Sequence, residues 1–277
     1  MAFFSFRSLA LAVPALLASA AMAQDPDNAS LGISATPDAE PNKSLSITLG
    51  AGAGVVPAYE GSKQVKAVPF PLIDIRGLAD DRIFISSLRG IGVNIVELGD
   101  LRAGVALGYH GGRSSHDDDR LRGLSDLSGG AVASGFVTYA LKPFAFELKA
   151  ENIFGPAPGT EVTAGATWSF SPIERMRISI GPETTWADRR YDRSYFGVTD
   201  DQAAAATAAG NPLHPYSPGS GLKDVALSAT LLYQITDHWG IAAHAGVSEL
   251  VGNAARHSPL TEQDAQPNAF LGLTYRF

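Results

Sequence analysis

Three groups of residues in this 277-residue sequence carry side chains that could do chemistry. The first is His244 and Ser248, with Asp237 and Glu249 nearby in the chain. A hydrolase needs serine, histidine and an acid within hydrogen-bond reach, plus an oxyanion hole. In an extended segment residues four apart stand ~13 Å from one another, so His244 and Ser248 share a face but form no dyad. No Gly-x-Ser-x-Gly elbow occurs either. The second group is His116-Asp117-Asp118-Asp119. A calcium or magnesium site takes ~6 oxygens from a shaped loop, and neither the spacing nor a closing glutamate is there. That run reads as a solvated acidic loop. The third group is Glu147, Lys149 and Glu151, which share one side of an extended segment whose other side carries Phe144, Phe146 and Leu148. What those charges do depends on the medium each side meets.

The elements that hold these groups read as strands almost throughout. The last, Asn268 to Phe277, places Ala269, Leu271, Leu273, Tyr275 and Phe277 on one face and Asn268, Gly272, Thr274 and Arg276 on the other, with Phe270 as the exception. Such alternation suits a strand between an apolar medium and water. A strand ending on Phe277 behind Tyr275 is also the C-terminal signal expected to be read by barrel assembly machinery. At the other end, Arg7, the apolar run Leu9 to Ala18 and the small-x-small site Ala21-Met22-Ala23 make residues 1–23 a secretory signal peptide. Residues 24–43 are rich in Asp, Pro, Asn, Ser and Ala and read as a flexible periplasmic tail. Hydrophobic residues make up 45% of the chain, yet nothing after the signal approaches the ~20 apolar residues of a membrane helix. Only helices and closed sheets satisfy the backbone in lipid, so residues 44–277 are expected to form an all-β, up-and-down antiparallel transmembrane β-barrel in the bacterial outer membrane. A net charge of -7 argues against nucleic acid as a partner. The sequence implies no cofactor, no metal and no catalytic residue.

Connection lengths set topology. Short links occur at Gly77–Asp81, Leu98–Asp100, Leu141–Pro143, Ser171–Arg175 and Thr236–His238, and long ones at Gly111–Gly129, Asp188–Gly221 and Gly252–Pro267. Outer-membrane barrels keep short turns in the periplasm and long loops outside. With both termini periplasmic, the two classes alternate only if Arg82 to Glu97 is two short strands turning near Leu88–Gly90. That gives about twelve strands, with ten as the alternative. Pro69 and Pro71 remove two ladder donors from the strand Val65 to Arg76 and imply a bulge or barrel irregularity there.

A charge facing lipid costs ~2–4 kcal/mol, so Glu147, Lys149 and Glu151 are expected to point into the lumen, where Arg102 and Arg177 also face. They either line a solute path or form an ion-pair network that stiffens a narrow barrel. The long segment Asp188 to Gly221 carries Arg189, Arg190, Tyr191, Arg193, Tyr195 and Phe196. One reading sets this cluster at the outer interface, meeting lipid and lipopolysaccharide phosphates through its arginines. The other folds the loop inward, with the aromatics packed over the lumen. The loop's middle, near Ala206, is expected to be reachable from outside the cell.

Four segments in order resemble the MipA/OmpV family of outer-membrane proteins. They are Gly50-Ala-Gly-Ala-Gly54 with Pro57-Ala-Tyr-Glu-Gly-Ser62, Pro69 and Pro71; Tyr109-His-Gly-Gly-Arg113 with Leu121, Gly123, Leu124 and Asp126; Ser194-Tyr-Phe-Gly-Val198 with Gln202, Ala203, Tyr216 and Leu222-Lys-Asp224; and Leu250-Val-Gly-Asn-Ala-Ala255 with Ser258-Pro-Leu260, Gly272, Tyr275 and Phe277. The Ala-rich stretch Ala203 to Ala209 and the His116 to Asp119 run depart from the pattern. The resemblance implies a barrel without enzymatic activity that acts as a scaffold, bringing a murein lytic transglycosylase together with a penicillin-binding protein. Porin-like and adhesive members are the alternatives it implies.

Overall fold

The structure, a computed structural model, describes residues 45–277. The expected signal segment and the tail 24–43 lie outside the described residues. Twelve antiparallel strands follow one another: β1 (Ser46–Pro57), β2 (Val65–Leu78), β3 (Ile83–Ser86), β4 (Gly90–Leu98), β5 (Leu101–His110), β6 (Gly130–Leu141), β7 (Phe144–Phe154), β8 (Gly159–Phe170), β9 (Met176–Ala187), β10 (Gly221–Gln234), β11 (Trp239–Leu250) and β12 (Ala265–Arg276). Each pairs with its sequence neighbours, and β1 closes on β12 to complete the barrel. Closure runs from Thr48 opposite Arg276 to Val55 opposite Ala269. The twelve-strand count holds because Arg82 to Glu97 does divide, with Ser86 opposite Gly90 across a three-residue turn.

Alternation assigns the faces. Leu107, Leu148, Leu227, Leu271 and Leu273 stand exposed on the outside, a belt that is stable only against hydrocarbon. Trp168, Trp239, Phe144 and Phe277 are exposed toward the short-turn end. There Tyr275 packs edge-on against both Trp239 and Phe277, with centroids 4.9 Å apart in each case. Phe277 N also donates to Ile47 O at 3.0 Å, stapling the last residue to β1. Phe270, the exception in the β12 pattern, turns into the lumen. It packs with Val56 and Val68 and lies 5.0 Å from the Phe70 ring.

The prolines of β2 make no bulge. Pro69 sits opposite Ala53 and Pro71 opposite Ala51 in unbroken register, and the irregularity falls instead between Ile75 and Leu78, where β2 meets β3.

The long loops fold over one end of the barrel. The segment between β9 and β10 is not irregular, as a loop reading would have it. It contains helices α1 (Arg189–Tyr195) and α2 (Asp200–Ala208). Asp188 caps α1 by accepting from Tyr191 N, and Thr199 with Gln202 forms a reciprocal capping box on α2. One face of helix α2 is packed: Ala203 and Ala206 are buried with Val198 and Leu213 of the same loop and with Tyr59, Leu121, Leu124 and Leu260 of its neighbours. Gly123 (φ +85°) touches it so closely that a Cβ there would lie 2.6 Å from Ala206 Cα. Ala206 itself is fully buried, while Ala204, Ala205 and Thr207 to Gly210 on either side of it are exposed.

Candidate functional site

Beneath this cap, four parts of the chain converge on one ammonium group. Strand alternation around Leu222, exposed on the outer face, would send Lys223 inward and Asp224 outward. A bulge between Leu222 and Asp224 changes this. Asp224 pairs with Thr185 on the inner face, and the inserted Lys223 is also buried, so both charges avoid lipid. Lys223 Nζ lies 2.6 Å from Glu60 Oε1, 2.7 Å from Glu161 Oε1 and 3.5 Å from Asp224 Oδ2. It also sits 4.8 Å from the centre of the Tyr191 ring, whose hydroxyl donates to Glu60 Oε2 at 3.0 Å. Tyr191 stacks on Tyr195 at 4.4 Å, and the Tyr195 hydroxyl is 3.1 Å from His110 Nδ1. Arg113, itself buried, donates to Tyr195 O at 2.9 Å.

Asp192 completes the acidic side. It is buried, and its Oδ1 meets no hydrogen-bond partner among the described residues. Burial first, and then the charge of Glu60, pushes its carboxyl up to about 8, so it is protonated at neutral pH. Neutralising one of four carboxylic groups around a single lysine is how a low-dielectric site sheds charge it cannot solvate. Around the lysine the loops are tied together by long-range bonds. Tyr59 Oη donates to Leu260 O at 2.7 Å, Gly61 N to Gln266 Oε1 at 3.1 Å and Ser258 Oγ to Phe196 O at 2.7 Å. The result is a barrel mouth filled by a small folded cap around a buried ionic centre.

The outer-interface reading of α1 is corrected for half its members. Tyr191, Tyr195 and Phe196 are buried under the cap, because their rings supply the apolar wall and the hydroxyls that Glu60 and His110 need. Arg189, Arg190 and Arg193 stay exposed on the other side of the same helix. The acidic run is also not a solvated loop. Asp117 pairs with Lys66 at 3.3 Å, and Asp118 is buried, accepting from Ser62 Oγ and Arg120 N at 2.9 Å each. Asp119 pairs with Arg122. Among the described residues no cluster of three His, Asp or Glu has the arrangement to hold a metal. His244 and Ser248 both face the lumen and are buried; His244 Nδ1 is 3.0 Å from Thr230 Oγ1, a bond between β10 and β11.

The charged lumenal face lies where alternation put it. Glu147 pairs with Arg89 from the β3–β4 turn, a partner the sequence did not suggest, and accepts from Thr138 Oγ1 at 3.1 Å. Lys149 pairs with Glu151 at 2.7 Å. Arg102 stands opposite Thr138, in the same cross-strand row as Glu147, whereas Arg177 stands opposite Leu232 near the short-turn end. Arg89 lies 4.9 Å over the Phe136 ring.

Lysine 223, Glu60, Glu161 and Asp192 were missed by sequence reading. The usable signal was a lysine between an apolar outward residue and an inward aspartate, where simple alternation breaks.

A twelve-stranded closed sheet with an apolar outer belt, aromatic ends and a filled mouth defines a β-barrel protein of the outer-membrane type. Residues 49–277 match the family described as MltA-interacting protein MipA, and the chain belongs to that family. Among solved structures the fold is similar to the KdgM porin in complex with disordered oligogalacturonate (12% identity, 84% of this chain and 99% of that one, TM-score 0.41). It is also similar to the NanC porin (8%, 84% and 99%, TM-score 0.40) and to OmpT of Vibrio cholerae (9%, 84% and 97%, TM-score 0.37). No curated protein matches the chain.

Proposed function

We propose that this chain is a non-enzymatic interaction protein of the outer membrane, a scaffold for enzymes that cut and build murein. The supporting observation is the closed mouth: loops from β1–β2, β5–β6, β9–β10 and β11–β12 pack into one core over a buried ion cluster. A plug of that kind obstructs a solute path through the lumen, which favours an interaction role over a channel. Membership of a family described by its interaction with MltA supports the partner class, a murein lytic transglycosylase. A penicillin-binding protein is the second partner of the proposal. The links at the short-turn end run only two to five residues (99–100 and 171–175 are the extremes), so a periplasmic partner finds little surface there. Residues 24–43 are proposed to carry much of the contact.

Capture of a purified lytic transglycosylase by the full chain and by a chain lacking residues 24–43 tests this reading. Weakened capture by the shortened chain is expected, and equal capture refutes the assignment of contact to that segment. Planar-bilayer recording tests the closed mouth. Absence of conductance steps at high salt is expected; steady single-channel steps would favour a porin-like role instead.

A further inference from the structure

The wall of the barrel is incomplete on one side. Strand β3 has four residues, and its pairing with β2 ends at Asp74 opposite Ser86. One further contact follows: Ser87 N donates to Ile73 O at 2.9 Å, and Ile73 N to Ser87 Oγ at 2.7 Å. Above that point, toward the loop end, Ala67 to Leu72 pair with β1 alone among the described strands. The opening is roofed by the Lys66–Asp117 ion pair and the Ser62–Asp118 hydrogen bond. Between roof and floor run six residues, about 17 Å of strand at ~3.4 Å per step.

The direction of the backbone groups along this edge can be worked out. Residues two apart in a strand point their N–H and C=O groups to the same side. Ile73 bonds toward β3, so Pro71, Pro69 and Ala67 also point that way. A second contact agrees. Phe277 N bonds Ile47 O, so the odd residues of β1 turn to β12 and the even ones to β2, where Gly50 faces Leu72 and Gly52 faces Phe70. Pro69 and Pro71 therefore lie on the open edge itself. An unpaired N–H in hydrocarbon is costly, and proline has none to leave unpaired. The two prolines are an adaptation to an open edge.

Behind the edge the lumen changes character. Elsewhere its wall carries Ser228, Thr230, Thr185 and Asn268, and Glu147 with Arg89. Here the inward residues of β2 are Val68, Phe70 and Leu72, with Phe270 beside them and Gly50, Gly52 and Gly54 as a bare floor on β1. Leu72 reaches across that floor: a Cβ on Gly272 of β12 would lie 2.9 Å from Leu72 Cδ1. Below the opening the polar lining resumes with the Asp74–Arg76 ion pair, and Phe84 of β3 turns away over Gly92 to meet Phe136 at 5.9 Å. An apolar trough thus continues the lipid-facing belt through a break in the wall.

We infer that the stretch Ala67 to Leu72 is a lateral port, and that its occupant is an acyl chain of a membrane lipid entering to lie against Val68, Phe70 and Leu72. The port is independent of the scaffold reading. The chain has no cysteine, so single-cysteine variants can carry a small fluorophore without background. Leu72→Cys reports the trough, and Thr163→Cys the lumenal face of β8, across the twelve-stranded ring. Leu148→Cys, on the outer face, reports full lipid contact. The variants are folded into phosphatidylcholine liposomes containing lipid with a mid-chain nitroxide, and folding is checked by heat-modifiable gel migration. Quenching at Leu72→Cys is expected to reach at least about half that at Leu148→Cys, with Thr163→Cys near background. Phe70→Cys gives the same reading if Leu72→Cys fails to fold. Equal quenching at the trough and at Thr163→Cys, whether low or high, overturns the port.

Discussion

Replacing Lys223 with Met tests the cap at its centre. Methionine keeps most of the volume but removes the ammonium that lies within 3.5 Å of Glu60, Glu161 and Asp224. Breaking a buried ion pair by deleting one partner costs about 3–5 kcal/mol, and here one deletion strands several carboxylates. At 1.4 kcal/mol per factor of ten, even the low end shifts the balance between closed and open cap more than about 10²-fold. The barrel itself, held by twelve paired strands, has no reason to follow. Trypsin reads the difference, because Arg189, Arg190 and Arg193 on α1 are cleavable only when the cap opens. Cleavage tracks the open population when reclosing is fast. Lys223→Met should therefore be cut at α1 at least about 100 times faster than wild type while still migrating as a folded barrel. Adding Glu60→Gln should recover part of the loss. Wild-type cleavage rates in Lys223→Met would refute the ionic centre as the element that holds the mouth shut.

Asp192→Asn removes a carboxyl that the folded state holds protonated up to about 8. Because the folded form keeps its proton where the unfolded form has lost it, wild-type stability falls from about pH 4 to pH 8 and levels off above. Thermal midpoints measured across that range should fall less steeply in Asp192→Asn, with its largest advantage at pH 8 and above. Gly123→Val meets both a positive φ and the Ala206 backbone, and should loosen the cap by about 1–3 kcal/mol, seen as faster trypsin cleavage at α1. An epitope inserted at Gly219, which is exposed with open space around its Cα, should be labelled on intact cells. Labelling only after permeabilisation would reverse the topology.

Barrel, strand count and faces could be read from the sequence because alternation is local: each of Leu101 to Tyr109 or Val225 to Ile235 declares its side through its nearest neighbours. Even the division of Arg82 to Glu97 followed, from the need for loops and turns to alternate. The bulge at Lys223 was hidden, because one inserted residue leaves the residue types unchanged while reversing which side they face. Pro69 and Pro71 left a bulge and a barrel irregularity both open, and the unbroken β1–β2 register removes the bulge. A missing donor marks either a bulge or an unpaired edge, and the length of β3, set by pairing elsewhere, decides between them. The cap was the least legible part. The capping signals Asp188 and Thr199-Asp-Asp-Gln202 were on the page, yet the aromatics of α1 are turned inward by Glu60 and Lys223, residues 131 and 32 positions away from Tyr191.

The stitches of the cap also impose an order of events. The bond from Tyr59 to Leu260 spans 201 residues and that from Gly61 to Gln266 spans 205. Neither can form before the final strand arrives beside the first, and loop closure over such distances is slow. The ionic centre draws on Glu60, Glu161, Tyr191 and Lys223, all made earlier, so the stitch to Gln266 is the one added last. A fully stitched mouth is in that sense a receipt for completed biogenesis: a chain arrested one strand short would keep the charges of the cap and lack the bond that ties its first loop to the closing strand.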